Sequence, residues 1–151
     1  VKKPLRIALW IVGSIVGVVV LLVVVGLWGM SNVGYVFPDH DLPRHLTGRW
    51  DWSTHKNRCG DGAHVIAFSP DLKTMTISMP RTPADTGWSA TYDILWLGES
   101  RVRGAIRGET RLTDGGAPVV WDLVMFGPDE YHWQRLDWKS WAYTPGILRC
   151  G

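Results

Sequence analysis

A chain of 151 residues with sixteen Lys and Arg, fourteen Asp and Glu and five His has a formal charge of +2, and two cysteines and ten tryptophans are its compositional extremes. Lys2, Lys3 and Arg6 hold the positive excess; from Asp39 to Gly151, thirteen basic residues face fourteen acidic ones. Those 113 residues therefore lack the concentrated basic footprint that nucleic-acid binding needs, and they suffice for one small core, not two.

The first element in chain order is an apolar run, Ile7 to Trp28, uncharged and with Ser14 as its only polar side chain. As a helix it is about 33 Å long, enough to cross a hydrocarbon core of roughly 30 Å. The run predicts one transmembrane helix over 7–28 behind a tail of residues 1–6. A cleaved secretory signal is the rival reading, but a signal's apolar core is usually roughly 7–15 residues and ends at small residues. This run ends in Gly26-Leu27-Trp28-Gly29-Met30, with no cysteine nearby for lipid attachment. Trp10 and Trp28 stand near its two ends, where indoles favour the headgroup region. A basic tail followed by thirty-two uncharged residues puts the N-terminus in the cytoplasm and the rest outside. The expected location is thus the inner (plasma) membrane, with a periplasmic or otherwise extracytoplasmic domain. Gly13 and Gly17 form a G-x-x-x-G pair that lets a second helix backbone approach closely.

Residues 29–46 read as a linker with a short helical turn near Asp39 to Leu46, and the β domain as 47–151. From Thr47 onward the dominant period is two. Met75, Ile77 and Met79 alternate with Thr74, Thr76 and Ser78, and Val119, Trp121, Leu123 and Met125 form a second row of this kind. Further strands are expected at Gly48 to Ser53, His64 to Ser69, Ser89 to Leu97, Arg101 to Arg107 and Tyr131 to Leu136. Turn chemistry separates them at Ser69-Pro70-Asp71, Thr113-Asp114-Gly115-Gly116 and Gly127-Pro128-Asp129. The fold class is mainly β: an antiparallel meander closed into a small barrel or folded as a sandwich, behind one N-terminal helix. Eight tryptophans lie in this part, the majority expected in the core as large side chains that fill a small barrel and the rest facing outward. Trp138 and Trp141, in an irregular stretch, are the candidates for an outward docking surface.

Cys59 and Cys150 are expected to form a disulfide in an oxidising compartment. The competing reading is a metal site of His55, Cys59, His64 and Cys150, although zinc sites usually show tighter paired spacings. Leu46-Thr47-Gly48-Arg49-Trp50 resembles the G-x-W signature that opens the first strand of lipocalin-like (calycin) barrels after a short helical turn. The resemblance implies that Trp50 closes one end of a barrel against an arginine from a late strand, Arg149 or else Arg135. It also implies a cysteine tying the C-terminal segment back to the barrel. It implies no particular ligand.

Catalytic motifs do not emerge. There is no G-x-S-x-G elbow, no H-E-x-x-H, no phosphate-cradling glycine loop and no C-x-x-C-H for haem. Asp39-His40-Asp41 with His45 reads as a solvated cap rather than a metal site, and His132 as polar surface rather than a pigment or haem ligand. Arg101, Arg103 and Arg107 share parity on one strand, with Arg111 beyond them, and form either an ion-paired row or a docking strip for an acidic partner or lipid headgroups. The leading expectation is a non-catalytic accessory subunit of a larger membrane complex, resembling in layout the small subunits of respiratory or photosynthetic assemblies. Its partners would be other integral membrane subunits and membrane lipids, with no nucleic acid and no cofactor. The alternative is a membrane-tethered, lipocalin-like binder of a lipid or apolar small molecule. That reading requires an interior not plugged by Trp50, Trp96, Trp121 and their neighbours. A metal-dependent enzyme using the histidines is the third.

Overall fold

Stretches of alternating polar and apolar residues, each bounded by turn formers, can bury one face only by curling the sheet around that face. The computed structural model describes residues 16–20, 34–82 and 86–151, and the chain divides into two units, Val1–Val33 and Gly34–Gly151. In the first unit, residues 16–20 are helical, with Val16, Val18, Val19 and Val20 exposed. No helix among the described residues is long and apolar enough to cross a membrane. Gly17 lies in this helical stretch, with nothing within 4 Å of a Cβ built on it. Trp10, Gly13, Trp28 and most of the expected 7–28 span lie outside the described residues.

The second unit is a closed antiparallel barrel of eight strands in sequence order: β1 (Gly48–Trp52), β2 (His64–Phe68), β3 (Thr74–Met79), β4 (Trp88–Leu97), β5 (Arg101–Ile106), β6 (Trp121–Gly127), β7 (Glu130–Arg135) and β8 (Ile147–Arg149). Of the two architectures left open by the pattern, the structure has the barrel. The expected strands are present within a residue or two of their bounds. The eighth was missed, because three residues are too short to show a period. β8 nevertheless closes the cylinder, pairing Trp50 with Arg149 on one side and Tyr131 with Ile147 on the other.

Meander topology puts connections 69–73, 98–100 and 128–129 at one end, the base, and 53–63, 80–87, 107–120 and 136–146 at the other, the mouth. The base is shut by residues that read as linker. Asp41 caps α1 (Leu42–Leu46) by accepting from the Arg44 N–H at 3.2 Å, and Phe37, Leu42 and Leu46 are buried in the core. Full burial of each leucine contributes about 1.5–3 kcal/mol. The Tyr35 N–H donates to the Met125 carbonyl at 2.8 Å, so the segment from Gly34 belongs to the barrel unit.

The Trp50 ring is fully buried at the base, and its Nε1–H donates to the Leu46 carbonyl at 2.8 Å. The Arg149 guanidinium lies 4.3 Å from that ring's centroid. Gly48 has φ of +134°, and a Cβ there would sit 3.2 Å from an Arg149 nitrogen, so glycine serves both the backbone and the close approach. Arg135 instead pairs with Asp137.

Alternation holds on β3, where Met75 and Ile77 are buried; on β6 Asp122 and Val124 are buried as well as Leu123 and Met125, so both faces of that strand are covered. Alternation breaks on β4, where a bulge between Ile94 and Trp96 turns Trp96 outward to lie opposite Arg103. Trp96 is therefore exposed and plugs nothing. The expected majority of tryptophans in the core is also corrected. Trp50 and Trp133 are buried and Trp52 and Trp121 pack against the core, whereas Trp88, Trp96, Trp138 and Trp141 are exposed, because three of these four sit at the mouth and the bulge ejects the fourth.

Cys59 and Cys150 form the expected disulfide, with Cα atoms 5.5 Å apart and a sequence separation of 91. It joins the β1–β2 connection to the residue after β8. On the chain-entropy view, closing a loop this long stabilises the fold by up to about 4–5 kcal/mol. Replacing both cysteines by alanine should lower the unfolding free energy toward that figure in urea titrations. A change below about 1 kcal/mol would mean that the pairing of β8 alone holds the terminus.

Candidate functional site

Inward positions of adjacent strands converge above the core on a cavity of about 270 Å³. Its wall includes Trp52 from β1, Ile77 from β3, Tyr92 and Trp88 from β4, and Trp121 and Trp133 from β6 and β7. His64, Ile106, Arg111 and Thr144 complete the lining. Trp88 is 47% exposed, so the cavity reaches the surface at the mouth. Tyr92 stacks on Trp133, centroids 5.3 Å apart and planes 16° off parallel, and Trp121 meets Trp133 edge to face at 6.1 Å. Tyr92, Trp121 and Trp133 brace one another, and with Trp52 and Trp88 they give the cavity a wall of five aromatic rings. No family model, curated protein or solved structure matches this chain.

The polar groups of the wall are few and mostly neutral. His64 is 4% exposed, and burial pushes its pKa down to about 4; the Asp51 charge opposes that shift and His55 adds to it. Its Nε2 lies 2.6 Å from the Tyr131 hydroxyl. Burial holds the Tyr131 hydroxyl well above its ordinary range and pushes the Tyr92 hydroxyl up to about 12, against the nearby Arg111 and with the nearby Glu109. The lining's one cation, Arg111, has its guanidinium 5.8 Å from the Trp121 ring centroid. It is neutralised by Glu109, whose carboxyl is pulled down to about 2 chiefly by hydrogen bonds from the Arg111 side chain. Among the described residues, Trp121 Nε1 is the buried side-chain polar atom without a hydrogen-bond partner.

The structure disperses the other sequence candidates. Arg101 and Arg103 both bond Asp122, whose side chain is 1% exposed, and Arg107 pairs with Asp93, so the arginine row is matched by acid within the barrel wall. With Cys59 and Cys150 bridged, the His55–Cys59–His64–Cys150 metal reading loses both its thiolates. His55 Nδ1 instead lies 2.6 Å from buried Asp51, which also accepts the Cys59 N–H at 2.6 Å and so pins the β1–β2 connection. At the base, His45 bonds Asp39 and stacks on Phe37, and His40 pairs with Glu99. His132 donates from Nδ1 to the Thr144 carbonyl and lies 2.9 Å from Glu130. Among the described residues, no group of three or more His, Cys, Asp and Glu is arranged to hold a metal ion.

The lining was only half legible. Ile77 and Trp121 stood on inward rows of the alternating pattern, and the same parity, carried along each strand, would have found Tyr92, Ile106 and Trp133. Arg111 and Thr144 lie on mouth connections, and no local signal points them inward.

Because the folded chain keeps His64 neutral down to about pH 4 while an unfolded one protonates near 6.5, its contribution is intact above roughly pH 6.5 and lost as pH falls toward 4. The loss should approach about 3 kcal/mol. Urea titrations at neutral pH and near pH 4 should show it, and His64→Gln should flatten that acid slope. An unchanged slope would move the acid sensitivity to another group.

Proposed function

We propose that this chain is a non-catalytic binder of a small, flat, apolar molecule, held in a lipocalin-like barrel behind a single-pass membrane anchor. One observation carries the reading: the interior is an aromatic-walled cavity of about 270 Å³ that opens at the mouth, rather than a barrel filled by its own indoles. That volume falls just below the range typical of small-molecule sites, so the fit is to a compact ligand. Near-neutral wall chemistry supports an uncharged body for the ligand, since His64 is kept neutral and Arg111 is paired. The lipocalin-like assignment draws on the eight-strand meander and on Gly48, Trp50 and Arg149 at its base. The anchor, the cytoplasmic N-terminus and the extracytoplasmic barrel draw on the apolar run and the basic residues before it.

In nanodiscs, the full chain should bind a naphthalene-sized fluorescent probe, with quenching of the wall tryptophans on titration. Ile106→Trp, which fills the lining, should weaken binding by about tenfold or more, a loss of about 1.4 kcal/mol. Equal affinity in that variant would exclude the cavity as the site.

An accessory-subunit role is the second reading, favoured by Leu95 and Trp96, 57% and 51% exposed side by side on the outer wall where the β4 bulge puts them. Mild-detergent purification of the native protein should then bring down membrane subunits in fixed ratio. Leucine at both Gly13 and Gly17 should release them, and a chain that purifies alone would sink this reading.

A further inference from the structure

The wall of the cavity is rich in hydrogen-bond donors and poor in acceptors. Its polar side chains are the indoles of four tryptophans and the Arg111 guanidinium, which only donate, together with His64, Tyr92 and Thr144. No carboxylate or carboxamide lines it. The Thr144 hydroxyl oxygen already accepts the Trp133 backbone N–H at 2.9 Å, and burial keeps Tyr92 a phenol rather than a phenolate. A ligand that brings a donor therefore finds little to receive it, whereas one that brings an acceptor finds several partners. The few polar groups of an apolar pocket set orientation and specificity, so this imbalance is a statement about the ligand.

One of the donors is fixed by the fold. His64 Nε2 lies 2.6 Å from the Tyr131 hydroxyl, and Tyr131 is fully buried. Among the described residues that hydroxyl bonds no other acceptor, so it donates to Nε2. The opposite arrangement, with Nε2–H donating to the phenol oxygen, would leave the phenol proton buried and unmatched, which is costly. A neutral imidazole whose Nε2 accepts carries its proton on Nδ1. His64 Nδ1 has no partner among the described residues, where the sealed and unbonded side-chain polar atom is Trp121 Nε1, so His64 Nδ1 is not sealed. A residue in the cavity wall with only 4% of its surface exposed opens onto the cavity. The result is a neutral N–H donor, held from behind by a buried hydroxyl, beside the aromatic rings.

We infer that the cavity selects aryl carbonyl compounds: the flat apolar body lies among the rings and the carbonyl oxygen accepts the His64 Nδ1–H. Tyr131 is the positioning residue, because its hydroxyl holds the imidazole in the tautomer that donates. A carboxylate is disfavoured, since Arg111, the cation in the wall, is paired with Glu109. This inference rests on the binding reading above and adds the chemical class of the ligand.

Two probes of the same shape test it: 2-acetylnaphthalene, and 2-isopropenylnaphthalene, in which CH2 replaces the carbonyl oxygen. Each is titrated against the full chain in nanodiscs, with empty nanodiscs correcting for partition into lipid. The ketone should bind about tenfold tighter than the alkene. His64→Leu should abolish that preference by weakening the ketone about tenfold while leaving the alkene within twofold. Tyr131→Phe should lower the preference several-fold, whereas a merely structural role would shift both probes alike. Should either variant fail to fold, the wild-type chain still decides. The stretch of a 13C-labelled carbonyl should fall below its frequency in alkane, and the 15N signals of His64 should report a proton on Nδ1. Equal binding of the two probes, or tighter binding of the alkene, overturns the inference and leaves the binding reading standing. A ketone preference that survives His64→Leu, an alkane-like carbonyl stretch or a proton on Nε2 overturns it as well. Binding of neither probe overturns the binding reading and this inference with it.

Discussion

Closure of the sheet between β1 and β8 is the constraint on which the rest of the barrel depends. Antiparallel strands left with free edges would present unpaired backbone groups and a half-open core. β8 has only three residues, so its ladder alone is weak, and three further contacts hold it in place. Arg149 leans on the Trp50 ring, the Cys150 N–H donates to the Arg49 carbonyl at 2.9 Å, and the disulfide ties Cys150 to Cys59. Asp51 then fixes the β1–β2 connection that carries Cys59, so that one buried carboxylate helps to set the position of the bridge. Trp50 belongs to both the closure and the floor, because it receives Arg149 on one side and bonds the end of α1 on the other.

A sealed floor makes an open interior possible. Core residues pack densely toward the base, around Trp50, Tyr131, Leu123 and Met125, and the aromatic rings higher in the barrel are too wide and too mutually braced to collapse into the remaining space. Interior charge is kept low by the same division. Arg101 and Arg103 spend their charge on Asp122 in the outer wall, and His64 is neutral inside it. Burying Asp122 between two guanidinium groups would be costly for either partner alone, since a buried carboxylate without its cations destabilises strongly. The arginine row thus works as part of the wall, and the surface features left to act on other molecules are the mouth and the bulge at Leu95 and Trp96.

Much of the barrel was legible from the residues, because a strand with one buried face writes its period directly into the chain. Rows such as Met75, Ile77 and Met79 need no partner to be recognised, and Gly127-Pro128-Asp129 marks its own turn. The resemblance carried by Gly48 and Trp50 led to Arg149, a contact across 99 residues that periodicity could not supply. What went unread had a common cause. A bulge changes the parity of everything beyond it, so Trp96 was placed inside when it is outside. The eighth strand is shorter than any periodic window, and Phe37, Leu42 and Leu46 looked like linker because burial against the base is a property of the base.

By itself the sequence determined the strand-rich class, the pairing of two lone cysteines and the apolar run at the start, since each follows from composition or from spacing within a few residues. Only the tertiary structure decided between barrel and sandwich, where the arginines discharge, and that the interior is a cavity opening at an aromatic rim. Those outcomes depend on which side chains from distant strands meet, and whether five large rings fill a space or frame one is settled by their mutual angles, which no stretch of sequence contains.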